Sequence, residues 1–234
     1  VDDFAKKIDI TNSQMVLQYG AASQKKLSDF SDNALSRVKT KDMGETGELI
    51  TNLITELKGF DATEKEDRGF FGNLFRKTQY NIESMKTRYE KADVNVERIK
   101  AQLEDHQVVL MKDITMLDKM YQLNLVYFKE LTMYILAGKK KLEEVRGGEL
   151  KEANAKAQRT QLPEDAQAAR DLADMCDRFE KKLYDLQLTR NISIQMGPQI
   201  RLIQANDTMM AEKIQTTIVN TIPLWKNQMV LALG

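Results

Sequence analysis

From Lys77 to Ala137 the chain contains neither glycine nor proline, the two residues that most often interrupt a helix. Apolar residues in the first part of this stretch recur in alternating steps of three and four: Ile82, Met85, Tyr89, Ala92, Val96, Ile99 and Leu103, then Leu110. His106 breaks the series. This is a heptad seam, which buries a stripe of one helix against others. Past Leu110 the stripe continues at an offset through Ile114, Leu117, Tyr121, Leu125, Phe128, Leu131 and Ile135. The pattern predicts one helix from about Thr78 to about Arg159, carried through Gly138 and Gly147. At the α-helical rise it would reach on the order of 120 Å. A rod of that length cannot cover its own seam, so partner helices are required.

The rest of the chain supplies them. Thr160–Asp165 reads as a turn followed by a helix start, with Pro163 in a first turn where it is tolerated. A return stripe runs through Leu172, Met175, Cys176, Phe179, Leu183 and Leu186. Gly197-Pro198 predicts an interruption with a kink, because Pro198 has no N–H for the Ile194 carbonyl. Ile200, Ile203, Met210, Ile214 and Ile218 resume the face until Ile222-Pro223 ends or bends it, and Leu224-Trp225 opens another helix. Toward the N-terminus, residues 13–38 form a helical stretch with a bend at Gly20 and a stripe of Met15, Leu17, Leu27, Phe30, Leu35 and Val38. A second stretch, 47–57, carries Leu49, Ile50, Leu53, Ile54 and Leu57. No segment has the period-two alternation of a strand. The fold class expected is therefore all-α: an elongated antiparallel helical coiled-coil bundle with one very long central helix. The organisation read is short helices over 1–60, a charged then Gly/Phe-rich connector over 61–77, and a long antiparallel coiled coil over 78–234. Because the chain starts without Met and ends in an apolar run, truncation at the C-terminus is also expected.

Composition narrows function by exclusion. Lys and Arg number 35 against 35 Asp and Glu, so the concentrated positive charge of a nucleic-acid binder is missing. A lone Cys176 allows no disulfide within the chain and no cysteine-rich zinc site. No run approaches the ~20 apolar residues of a membrane-spanning helix. Phosphate loops, dinucleotide fingerprints, nucleophile elbows and HExxH strings are all lacking, and no catalytic, cofactor or metal residue is expected.

Three strings carry a resemblance. They are Lys112-Asp113-Ile114-Thr115-Met116-Leu117-Asp118-Lys119-Met120-Tyr121 with Tyr127-Phe128-Lys129-Glu130-Leu131; Leu188-Thr189-Arg190-Asn191-Ile192-Ser193 leading to Pro198-Gln199-Ile200-Arg201; and Asn220-Thr221-Ile222-Pro223-Leu224-Trp225-Lys226-Asn227-Gln228. In this order they resemble the toxic anion resistance (TelA/KlaA, tellurite resistance) family. The resemblance implies a bacterial cytoplasmic protein tied to tellurite tolerance and, in some members, to envelope stress. It brings no catalytic residues. The expected role is a non-enzymatic scaffold whose long helical faces bind other proteins or further copies of the chain.

Two sets of residues stand as candidate contacts. Arg190 and Arg201 flank Gly197-Pro198, and guanidinium forks suit an oxyanion. The alternative is that they pair with Asp113 or Asp118 on the long helix and hold the register. Phe70, Phe71 and Phe75, between glycines and ahead of Arg76 and Lys77, could plug the helix ends or touch a partner or a membrane surface, and Trp225 could do the same.

Overall fold

The computed structural model describes residues 1–39, 43–66 and 77–233. Among them there is no strand. The helices are α1 (Asp2–Ala5), α2 (Ser13–Gln18), α3 (Ala21–Lys39), α4 (Met43–Glu66), α5 (Lys77–Gly147), α6 (Glu149–Thr160), α7 (Pro163–Thr216) and α8 (Ile222–Leu233). Phe70, Phe71 and Phe75 lie outside the described residues.

The heptad seam becomes α5, 71 residues in one helix. It passes through Gly138 as expected but stops at Gly147, so the single helix to Arg159 is not formed. Gly148 takes φ −113°, ψ −89°, which breaks the rod into α5 and α6 while Gly148 still donates to Glu144 O and accepts from Glu152 N–H. Two adjacent glycines make this re-aiming inexpensive. Gln161 then adopts a left-handed conformation (φ 52°), its N–H donating to Ala157 O, and α7 opens on Pro163.

Two further expectations are revised. The helix is not interrupted at Gly197-Pro198: α7 runs through both residues. Pro198 and Ile194 lie on the exposed side, where solvent can take the carbonyl that proline leaves free. The break is the one expected at Ile222-Pro223: a π-helical turn, Thr217–Thr221, in which the Ile222 N–H reaches back five residues to Thr217 O, separates α7 from α8. The extra residue in that turn seats Pro223 in the first turn of α8, where a missing N–H is harmless. Toward the N-terminus α4 continues to Glu66, past the end of its apolar stripe at Leu57.

The described residues gather into two compact units. The first comprises Val1–Lys39 with Asp118–Arg201, the second Thr40–Leu117 with Leu202–Gly234. In the first unit α3, α5 and α7 form a three-helix bundle. α7 runs antiparallel to α5, with Arg146 on Asp177 and Glu180 near one end and Asp118 on Arg201 near the other. α3 also opposes α5: Ser23 Oγ donates to Glu130 and Phe30 meets Tyr127. Across the third edge Gln24 Nε2 donates to Asp185 and to Thr189 Oγ1. The core holds Leu27, Leu131, Ile135, Cys176, Phe179, Leu183 and Leu186. Met15 and Leu17 are exposed, contrary to their place in the expected stripe; Val16 and Tyr19 are buried instead. The reason is the turn at Tyr19–Gly20, with ψ 118° at Tyr19 and φ +66° at Gly20, which separates α2 from α3 and breaks the shared stripe.

Close packing in this unit predicts the sign of a substitution. A methyl at Gly138 would lie 2.4 Å from Leu183 Cδ2 and 3.2 Å from Phe179 Cζ. Helix propensity alone favours Gly138→Ala by about 1 kcal/mol, whereas overfilling a packed core loses about 1–3 kcal/mol. The variant should therefore melt below the parent. Thermal unfolding followed by circular dichroism decides it, and a higher midpoint would show that Leu183 and Phe179 yield freely.

The second unit is likewise three-stranded, with α4, the first part of α5, and the end of α7 with α8. Leu53 and Leu57 of α4 pack with Val96, Ile99 and Leu103 of α5 and with Ile214, Ile222 and Trp225. His106 supplies a polar tie where the seam lacks an apolar group. Its Nδ1 lies 3.3 Å from the Thr46 hydroxyl and its Nε2 3.7 Å from Glu45, both on the first turn of α4.

Candidate functional site

The candidate arginines both lie on the α5–α7 face of the first unit. Arg201 donates to Asp118 Oδ1 at 2.9 Å, and its guanidinium carbon stands 3.8 Å from the Tyr121 ring centre. Arg190 sits 5.0 Å over the Phe128 ring and makes no ion pair with any described carboxylate. Its Nε is buried without a hydrogen-bond partner. Eleven residues of helix separate the two arginines. That is three turns, so they share a face but stand ~16 Å apart along the axis. One small oxyanion cannot bridge them. Each guanidinium is instead fixed separately by an aromatic ring that its cation attracts.

Between them is a buried polar lock. Ser193 Oγ donates to Asn124 Oδ1 at 2.9 Å, and Asn124 Nδ2 donates to Ser193 O at 3.0 Å. Such a pair is satisfied in one alignment of α5 against α7 and not in a slipped one. The alignment brings Asp118 to Arg201, the pairing expected of a register contact. Asp113 belongs to the second unit, where it is buried.

Trp225 is packed inside the second unit rather than displayed. It is 4% exposed and stacks on Tyr89 with ring centres 5.5 Å apart. The adjacent Lys226 holds α8 to α5 through Asp93 and Glu97, and the hydrogen bond from Lys226 holds the Glu97 carboxyl below its ordinary range. Cys176 is fully buried among the first unit's apolar side chains, and burial pushes its thiol up despite nearby Arg146. A thiol so placed is a poor nucleophile.

What sequence reasoning did not single out is an exposed apolar row on α7. Tyr184, Leu188 and Ile192, four residues apart, are 63%, 48% and 40% exposed. The signal was available in their i, i+4, i+8 spacing, on the opposite side of the helix from the core stripe. Among the described residues no helix is long and apolar enough to cross a membrane.

Comparison with known proteins completes the picture. The family model described as toxic anion resistance protein (TelA) matches residues 1–234. A TelA-like protein of Staphylococcus epidermidis is 40% identical over 235 residues, covering 100% of this chain and 62% of its own length. The uncharacterized protein Lmo1967 of Listeria monocytogenes is 39% identical, with 99% and 58% covered. The uncharacterized protein YaaN of Bacillus subtilis is 38% identical, with 98% and 60% covered. No solved structure matches. The chain thus spans about three fifths of the length of these curated relatives. A match over every residue, on an all-helical chain of two three-helix units, means that the chain belongs to the toxic anion resistance (TelA) family.

Proposed function

We propose that this protein serves toxic anion resistance, tellurite being the expected anion, as a non-enzymatic helical scaffold. Family membership supports the process, and the exposed Tyr184–Leu188–Ile192 row supports the mode of action. That row is the carrying observation: three large apolar side chains aligned on one face form a patch of the kind that marks a protein partner's site. The scaffold reading predicts that Leu188→Asp with Ile192→Asp abolishes tellurite tolerance in cells while the purified variant keeps its parent's helical spectrum and melting point. Full tolerance in the double variant would remove this face from the mechanism.

A second reading, sequestration of the oxyanion, draws on Arg190, whose guanidinium has no described carboxylate partner. It requires stoichiometric tellurite binding to the purified protein. Calorimetry of the parent beside Arg190→Ala and Arg201→Ala separates the two. Heat that disappears in Arg190→Ala establishes sequestration, and no heat in the parent leaves the scaffold. Heat unchanged in both variants would place any anion elsewhere.

A further inference from the structure

In the first unit residues of α3 and α5 line an open cleft of about 430 Å³. That volume falls within the range of small-ligand sites, about 300–1,000 Å³. The floor is apolar and aromatic. Phe30 and Tyr127 meet edge to face with ring centres 5.7 Å apart, and Met120 and Leu123 extend the surface beside them. Leu123 is 40% exposed, so the cleft is reached directly from solvent.

The charges on the rim are not equivalent. Lys26 lies 3.9 Å from Glu130, whose carboxylate also accepts from Ser23, so its ammonium is offset. Asp29 is exposed at the mouth and makes no ion pair with any described residue. The rim thus carries both signs, and Asp29 is the carboxylate exposed at the mouth over this aromatic floor. A carboxylate and an aromatic ring face attract the same kind of ligand, because each presents negative potential. An anion is repelled by both. A bare metal ion would need several ligands, and among the described residues no group of three His, Cys, Asp or Glu side chains gathers to hold one.

We propose that this cleft binds an apolar organic cation, a quaternary ammonium or lipophilic amine, whose body lies over Phe30 and Tyr127 and whose charge faces Asp29. This assignment stands apart from the resistance role and from the Arg190 face, and it does not depend on either.

Calorimetry with benzyltrimethylammonium as the probe tests it on the whole chain, with naphthalene sulfonate as an anion of similar bulk. The cation should bind and the sulfonate should not. Asp29→Asn should weaken binding by up to about fivefold, the upper end for one exposed ion pair. Asp32→Asn, three residues further on α3 and also exposed, should leave it unchanged. Leu123→Trp should fill the cleft and abolish binding with little change in melting point, since Leu123 is part exposed. Independently, the ¹³C-methyl resonance of Met120, assigned through Met120→Leu, should shift on titration of the cation. Equal or tighter binding of the sulfonate, an Asp29→Asn variant that binds like the parent, a static Met120 methyl, or no heat at millimolar cation would each overturn the assignment.

Discussion

Phe179→Ala should lower the thermal midpoint of the protein by on the order of 10 °C. Phe179 has no exposed surface and occupies the centre of the first unit's core. Its ring meets Tyr19 at 5.0 Å and 65°, and it stands against Gly138 of α5. One side chain on α7 therefore joins α5 and the segment just before α3. Truncation removes its transfer free energy and leaves a void that these neighbours cannot fill without moving, about 3–5 kcal/mol together. For a chain of this length each kcal/mol shifts the midpoint by about 2–4 °C. Differential scanning calorimetry checks the figure. Phe179→Leu, which keeps most of the volume, should lose less than half as much, and an equal loss would mean that the aromatic pairing with Tyr19 dominates over the void.

Gly20→Val should be nearly as damaging, for two reasons that add. Gly20 has φ +66°, which a β-branched residue adopts at a penalty of about 1–2 kcal/mol. A Cβ there would also lie 2.8 Å from Leu186 Cδ1, in a fully buried side chain of α7. Overfilling that contact adds about 1–3 kcal/mol. Chemical denaturation should show a midpoint well below the parent's, with the slope unchanged if the same surface is exposed. Gly20→Asn, which tolerates positive φ better, still carries the Cβ. If Asn and Val prove equally harmful, the clash with Leu186 governs; a mild Asn effect assigns the larger part to backbone strain.

Each substitution tests what local pattern leaves open: periodicity puts Phe179 on a stripe and glycine marks a bend at position 20, but neither says which side chains of other helices press against them. Periodicity located the stripes of α5 and α7 because apolar side chains must return to one face every three or four residues, and Val96, Ile99, Leu103, Leu131, Phe179, Leu183 and Ile214 are all buried. It misplaced Met15 and Leu17, because the turn at Tyr19–Gly20 makes α2 and α3 separate helices and one stripe cannot be carried across both. It expected a break at Pro198 where there is none, because whether a freed carbonyl needs a partner depends on whether it faces water. The Arg201–Asp118 pairing was among the alternatives open in sequence, yet its choice over Asp113 needed the alignment of two helices. Neither the Arg190–Phe128 stack nor the cleft beside Asp29 has a sequence signature, since each joins side chains about 60 or more positions apart.

The amino-acid sequence by itself determined that this chain is all helix, where its apolar stripes lie, and to which family it belongs, because helix periodicity and residue identity are local or directly comparable. Tertiary structure alone decided the register of α5 against α7, the burial of Trp225, the tightness at Gly20 and Gly138, and which charged groups remain uncompensated. Those properties are set by distances between separate helices, and helix spacing within one segment carries no information about the residues that will face it.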